Sequence, residues 1–234
     1  MNIFRLKSNE GEKMKVIPYY HFSTALQMCA VIGTVAAPLT LYSVELGLNP
    51  DRIGILGSLI AFCQVLALIS IPLTIYFGSK ILSIWTLFSR YIFLLIFLIV
   101  PFYKDNLTLV FYLLFFSMLM FSILRSLSEA AFIPWMQEFI PRDVRGRTIG
   151  INGIICTPFA LAASYAIKVW LDSREGLDRF YPVFFIAIIS GLISALLLLK
   201  LKGGKRIENR ENDKGYLRNL LLATKDKNYN LFLI

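Results

Sequence analysis

The sequence predicts an all-α, polytopic membrane protein in which six transmembrane helices form one bundle. The first observation is composition: 57% of the residues are hydrophobic and 17% are charged, whereas soluble proteins carry about 25% charged residues. Mean hydropathy is +0.66, which is more than one soluble core of this length needs. The second observation is that the apolar residues form six runs. Each run can cross a hydrocarbon layer of ~30 Å at about 1.5 Å of helix rise per residue.

The predicted spans divide the chain into three parts. Residues 1–20 are polar and basic and form a predicted cytoplasmic segment, residues 21–200 form the bundle, and residues 201–234 form a predicted cytoplasmic linker. The last residues turn apolar again, which predicts the start of a possible seventh helix. The first span is too long for a signal-peptide core, so we expect it to be retained. The spans cover residues 22–46, 53–77, 81–103, 107–134, 149–171 and 180–199.

The distribution of basic residues predicts the orientation of the bundle. Seventeen of the 24 lysine and arginine residues lie before the first span, in the 2–3 turn, in the 4–5 loop or after the sixth span. Four lie in the other loops. Because cytoplasmic loops carry the excess of positive charge, we expect both ends of the six-helix bundle on the cytoplasmic side of the cell membrane, that is, the inner or plasma membrane.

Several kinds of chemistry are disfavoured by the residues present. The net charge of +9 would suggest nucleic acid in a soluble protein. Here the basic residues border apolar spans, so the predicted partner is the lipid bilayer and not nucleic acid. Cys29, Cys63 and Cys156 lie in separate spans and His21 is the single histidine, so we predict neither a metal site nor a cofactor. No phosphate-cradling loop or nucleophile–base pair indicates an ATPase or a membrane enzyme.

Charged residues inside the predicted spans are candidates for function. Arg125 and Glu129 lie four residues apart in the fourth span, and we expect the apolar part of that span to end at Pro134. An ionised group at mid-membrane costs about 2.5–3.5 kcal/mol, and an i,i+4 pair offsets part of that cost. The pair is either a substrate or proton site facing a cavity, or a helix-packing or snorkelled ion pair, and the second interpretation fits Glu129 better. Arg90, in the third span, is expected to have a structural partner or to snorkel.

A stretch between the fourth and fifth spans resembles a known family. Residues 138–146 read Glu-Phe-Ile-Pro-Arg-Asp-Val-Arg-Gly, which is similar to the E-x-x-P-x-x-x-R-G pattern in the cytoplasmic 4–5 loop of the major facilitator superfamily. We expect Glu138 and Arg145, with Gly146, to lie in a polar loop and to form part of a cytoplasmic latch. The alternative for Arg145 is a simple positive anchor at the membrane surface.

Two further family patterns are matched in part. Gly78 and Lys80 match the family's 2–3 loop, and we count them with the cytoplasmic gating candidates, although Ile75 replaces the acid of that pattern. Gly153 and Pro158 match two positions of the fifth-span antiporter pattern G-x-x-x-G-P-x-x-G-G, where the resemblance implies a helix-packing role. This fifth-span match, together with Arg125 at the arginine of the family's fourth-span pattern R-x-x-Q-G, favours export or exchange.

The resemblance implies secondary active transport of a small solute by alternating access. In the family, spans one and four line the cavity, which adds Gln27 and Tyr42 to Arg125 and Glu129 as substrate or proton candidates. Gln27 and Tyr42 can instead hydrogen-bond a neighbouring helix. The family has twelve spans in two halves, each built from inverted repeats. The resemblance therefore implies an N-terminal half that works with a C-terminal half or a second copy. The alternatives are a fragment that transports nothing, a half-transporter that requires a partner, and an oligomeric channel.

Overall fold

The computed structural model describes residues 16–205, and within them every regular element is helical. Six segments in this part of the chain are long and apolar enough to cross a membrane, which confirms the predicted class and number of spans. The predicted seventh helix, most of the linker and residues 1–15 lie outside the described residues. We number the segments spans 1 to 6: Ile17–Glu45, Pro50–Phe77, Ser79–Tyr103, Leu107–Phe139, Arg142–Asp172 and Leu177–Leu198.

Four of the spans contain more than one helical element. Span 1 consists of Ile17–Thr34 and Ala37–Glu45, with Pro38 at the start of the second piece, where its missing N–H would have no helical partner. The others combine α-helix with 3₁₀ turns. Their pieces are Pro50–Cys63, Gln64–Ile69 and Ser70–Phe77 in span 2; Ser79–Phe93, Ile96–Ile99 and Val100–Tyr103 in span 3; and Leu177–Arg179 and Phe180–Leu198 in span 6.

Spans 4 and 5 are continuous helices of 33 and 31 residues, and this corrects the prediction of a polar loop between them. Span 4 continues through Pro134 to Phe139, and span 5 begins at Arg142. Proline removes one N–H donor, and the remaining helical hydrogen bonds hold the helix through that position. At about 1.5 Å per residue span 4 is ~50 Å long, more than a ~30 Å hydrocarbon layer requires. The polar residues therefore belong to helix ends that extend beyond the apolar layer.

The packing of the spans repeats itself. Span 1 packs chiefly on span 6 and next on span 5, while span 4 packs chiefly on span 3 and next on span 2. Spans 3 and 6 also contact each other. Exchanging spans 1, 2 and 3 with spans 4, 5 and 6 leaves this pattern of neighbours unchanged. Each set has three spans, so the second set crosses in the opposite direction to the first.

The core lies between spans 1, 3, 4 and 6, where close helix approach depends on glycine. A Cβ added at Gly33 of span 1 would lie 2.7 Å from the Cβ of Ala187 in span 6, and one added at Gly191 would overlap the ring of Tyr91. Spans 2 and 5 bury much less of themselves: 22% and 11% of their most apolar windows, against 50% for span 3. These two spans therefore present most of their surface outward.

Candidate functional site

Several predicted gating residues meet where span 2 turns into span 3 and span 6 ends. Gly78 is the single residue between spans 2 and 3, with φ of +85°, a conformation that favours glycine. Its backbone N–H donates to the carbonyl oxygen of Thr74 at 2.9 Å, which closes the end of span 2. The tight turn brings Lys80 into the first turn of span 3, next to the end of span 6.

Lys80 caps the end of span 6. Its Nζ donates to the carbonyl oxygens of Leu199 at 2.9 Å and Leu201 at 2.5 Å. Its backbone N–H donates to the carbonyl oxygen of Gly204 at 3.2 Å. Carbonyls at a helix C-terminus lack partners within the helix and carry partial negative charge, so a lysine ammonium group stabilises them. The bonds join the start of span 3 to the end of span 6.

Residues 201–205, which we call the strap, fold back onto the end of span 4. The indole Nε1 of Trp135 donates to the carbonyl oxygen of Lys202 at 3.1 Å. The backbone N–H of Gly204 donates to Oε2 of Glu138 at 2.6 Å, a charge-assisted hydrogen bond. The sequence predicts a linker for these residues, whereas in the structure they pack on the bundle.

Only glycine fits at the centre of the strap. Gly204 has φ of +69°, and an added Cβ would lie 2.5 Å from the Cβ of Lys80 and 2.8 Å from Cδ1 of Trp135. Trp135 and Leu201 are fully buried. We name this group of residues the Gly204 corner: it consists of Gly78, Lys80, Trp135, Glu138 and Gly204. It joins spans 3, 4 and 6 through hydrogen bonds to a segment that follows the last span.

Arg145 stabilises the turn between spans 4 and 5. Its Nη2 donates to the carbonyl oxygens of Gln137 at 2.8 Å and Ile140 at 3.3 Å, at the C-terminus of span 4. Pro141 precedes span 5 with φ of −56°, and Arg145 lies in the first turns of that helix. The E-x-x-P-x-x-x-R-G stretch is therefore a helix–turn–helix whose arginine caps the preceding helix. A latch between Glu138 and Arg145 stays a prediction.

Gly146 lies on the exposed side of the same turn of span 5. Within the described residues no heavy atom outside its own helix and chain neighbours lies within 4 Å of a Cβ added there. Close packing inside this bundle therefore does not require glycine at that position.

Arg125 and Glu129 form the ion pair that their spacing predicts. Arg125 Nε lies 2.7 Å from Glu129 Oε1, and the side chains are 27% and 45% exposed. They lie ~3 Å and ~9 Å along the axis from the middle of span 4, at about 1.5 Å per residue. The predicted fourth span is shorter and ends at residue 134, so both residues lie nearer the middle of the observed helix than of the predicted one. A pair that served helix packing would be covered by a neighbouring span, so this exposure favours the alternatives in which the pair is accessible.

Tyr42 and Gln27 differ in their surroundings. Tyr42 is 1% exposed, and its hydroxyl donates to the carbonyl oxygen of Phe97 at 2.7 Å. Its ring packs against Phe180 and Phe184 of span 6, with centroids 5.2 and 5.0 Å away. These contacts favour the interpretation that Tyr42 hydrogen-bonds a neighbouring helix over the one that it lines a cavity. Gln27 is half-buried on span 1.

A groove of about 290 Å³ between spans 1 and 5 is a feature that the sequence analysis missed. Thr24 of span 1 and Asn152 and Thr157 of span 5 supply polar groups to it. His21 Nδ1 lies 3.0 Å from Oδ1 of Asn152 nearby. Gly153 also lines the groove, and in the part of the chain that the structure describes no heavy atom outside its own helix lies within 4 Å of a Cβ added there. The groove depends on the adjacency of spans 1 and 5, which local sequence patterns do not encode.

Pro158 lies inside the helix of span 5 and is exposed. Together with the open position of Gly153, this means that neither residue of the predicted antiporter pattern mediates close helix packing within residues 16–205. The packing role that the resemblance implied for them would therefore require a partner outside this bundle.

No protein-family model, curated protein or solved structure matches the chain. Within residues 16–205 no group of three His, Cys, Asp or Glu side chains is placed to hold a metal ion. The function therefore has to be argued from the packing of the spans and from the residues that they bring together.

Proposed function

We propose that this chain is the N-terminal half of a secondary transporter of the major facilitator type, which moves a small solute across the membrane by alternating access. The repeated packing pattern supports the proposal most strongly. When span 1 is exchanged with span 4, span 2 with span 5 and span 3 with span 6, the pattern of contacts between the spans stays the same. Two three-span units that cross in opposite directions present related structures to both membrane faces. Inverted repeats of this kind underlie alternating access in many secondary transporters.

The Arg125–Glu129 pair is the proposed solute or proton site. It is partly exposed, and Arg125 lies near the middle of span 4. Ionisable residues within transmembrane segments mark substrate, ion or proton pathways because their insertion is costly. A solute with an ionised group, or a proton, can replace one member of the pair, and this favours exchange of charged solutes. Gln27 of span 1 is the proposed uncharged participant.

The Gly204 corner is proposed to make the bundle move as one body. It joins the ends of spans 3, 4 and 6 to one another through Lys80, Trp135, Glu138 and the strap. These contacts lie within one six-span unit, so the unit can rock without separating its own helices. In the predicted orientation the corner lies on the cytoplasmic face.

The open faces of spans 2 and 5 favour a transporter that works with a partner unit. No heavy atom from outside the helix lies within 4 Å of a Cβ added at Gly54, Gly57, Gly150 or Gly153, among the described residues. Small residues in membrane helices typically permit close approach of another helix. A C-terminal half or a second copy of the chain would use these faces, which makes a partner-requiring half-transporter the second candidate.

Solute flux in membrane vesicles tests the proposal. Vesicles from cells that overproduce the protein would be loaded with a panel of charged solutes, with and without a pH gradient. We expect saturable, gradient-driven flux that Arg125→Gln and Glu129→Gln each reduce at least tenfold. Arg147→Gln, an exposed arginine at the start of span 5, is the matched control and should retain flux. Current that does not saturate would indicate a channel, and flux equal to that of vesicles without the protein would contradict transport.

A further inference from the structure

A second groove, of about 290 Å³, lies between spans 1, 5 and 6, toward the end of the bundle opposite the Gly204 corner. Its lining is almost entirely apolar, and small side chains leave the space open. Gly33 lies on span 1, and the pair Ala163 and Ala166 lies on span 5. Because the groove offers a solute almost nothing to hydrogen-bond, an apolar chain suits it better than a polar ligand. Other lining residues are Ile167, Val183 and Ile186.

The groove has a cationic rim. Trp170 lines the groove near the end of span 5, and the guanidinium of Arg174 stacks 3.8 Å from the centroid of its indole ring. The neighbouring Arg179 is engaged elsewhere, because it pairs with Glu45 of span 1. Within residues 16–205 Arg174 forms no ion pair with a carboxylate. Tryptophan and arginine at the end of a span lie at the level of lipid head groups.

We propose that this groove binds one zwitterionic phospholipid, with an acyl chain between spans 1, 5 and 6 and the phosphate on Arg174. Arginine forms strong charge-assisted hydrogen bonds with phosphate oxygens. Asp172 and Glu175 flank Arg174 in the sequence and are exposed. They add negative charge beside that cation and favour a head group that also carries an ammonium, as in phosphatidylethanolamine. The site is separate from the Arg125–Glu129 pair and does not depend on the proposed transport activity.

Native mass spectrometry and thermal unfolding of the full chain in detergent test the site. We expect the wild-type protein to retain one phosphatidylethanolamine and to gain several degrees in Tm when that lipid is added. Ala166→Phe fills the exposed groove and should abolish both effects. Arg174→Gln should weaken the apparent lipid affinity about tenfold, as expected for loss of a hydrogen bond between charged groups.

Two matched variants control for general effects of substitution. Ala162→Phe adds the same ring to span 5 at an exposed position that does not line the groove. Lys104→Gln removes an exposed cation from another loop at the same end of the bundle. Both should bind lipid as the wild type does. Equal lipid retention by Ala166→Phe and Ala162→Phe would overturn the site, and a stronger Tm gain with phosphatidylglycerol would overturn the head-group assignment.

Discussion

Glycine at the contact between spans 3 and 6 has a different role from glycine in spans 2 and 5. Gly191 of span 6 lies so close to Tyr91 of span 3 that an added Cβ would overlap its ring. Gly57 of span 2 and Gly153 of span 5 face open space within the described residues. The glycine of span 6 is already used for packing against span 3, whereas the glycines of spans 2 and 5 leave room for lipid or for another helix. We call the contact between spans 3 and 6 the finished side of the described bundle, and the outward faces of spans 2 and 5 its available side.

The largest effect is expected from adding one methyl group on the finished side. Gly191→Ala should destabilise the bundle by about 1–3 kcal/mol, because the new Cβ forces Tyr91 and span 6 apart. Gly153→Ala should leave stability unchanged or raise it slightly, because its Cβ meets open space within the described residues and alanine favours a helix more than glycine does. Thermal unfolding of both variants in detergent measures the difference. Equal Tm values would mean that the contrast between the two pairs of spans is wrong.

Removing a buried charge from the finished side should have a smaller effect on stability, and this effect should be stabilising. Arg90 is fully buried, and its Nη2 donates to the hydroxyl of Tyr91 at 3.0 Å, while Nε and Nη1 find no hydrogen-bond partner within residues 16–205. The ring of Phe121 lies 5.4 Å from the guanidinium carbon and offsets part of the desolvation cost. Arg90→Met should therefore stabilise the bundle by about 1 kcal/mol, because it removes unsatisfied buried donors.

A variant that retains the charge is the control in the same unfolding assay. Arg90→Lys keeps the charge and shortens the reach of the donors, so it should not share the gain in Tm. A fall in Tm for Arg90→Met would show that the guanidinium stabilises the core on balance.

An effect similar in size to that at Arg90, but destabilising, is expected at the Gly204 corner. Lys80→Met keeps the length of the side chain and removes the ammonium that bonds Leu199 and Leu201. We expect the free energy of unfolding to fall by about 0.5–1.5 kcal/mol, the range for one or two partly exposed hydrogen bonds. Lys200→Met, at an exposed position one residue after Leu199, is the matched control; it removes an exposed cation–π contact of 4.7 Å with the ring of Tyr19 and should cost less. Protease cleavage within the strap should be faster in Lys80→Met than in the control if the bonds hold the strap in place.

The sequence predicts the six spans well because hydropathy is a local property that each run expresses by itself. The same rule misplaces the ends of spans 4 and 5. Glu138 and Arg145 are polar and suggest a loop, but they lie on helix ends that extend beyond the apolar layer. Pro134 reinforced that error, because a proline inside a helix is indistinguishable in the sequence from one that ends it.

Contacts between distant residues account for most of what the sequence does not predict. The hydrogen bond from Gly204 to Glu138 joins positions 66 residues apart, and the one from Tyr42 to Phe97 joins positions 55 residues apart. No spacing rule connects such residues before the order of the spans in space is known. Arg125 and Glu129 are the opposite case, since an i,i+4 pair on one helix is fixed by the helix itself.

The burial of Trp135 gives the protein an internal optical signal. Of the three tryptophans, Trp135 is fully buried and bonded to the strap, whereas Trp85 is 66% exposed and Trp170 lies at the rim of the apolar groove. With Trp85 and Trp170 replaced by phenylalanine, the emission of the remaining indole would report the polarity around the Gly204 corner alone. Detachment of the strap would admit water to that indole and move its emission to longer wavelength, so conformational change could be followed without an added label.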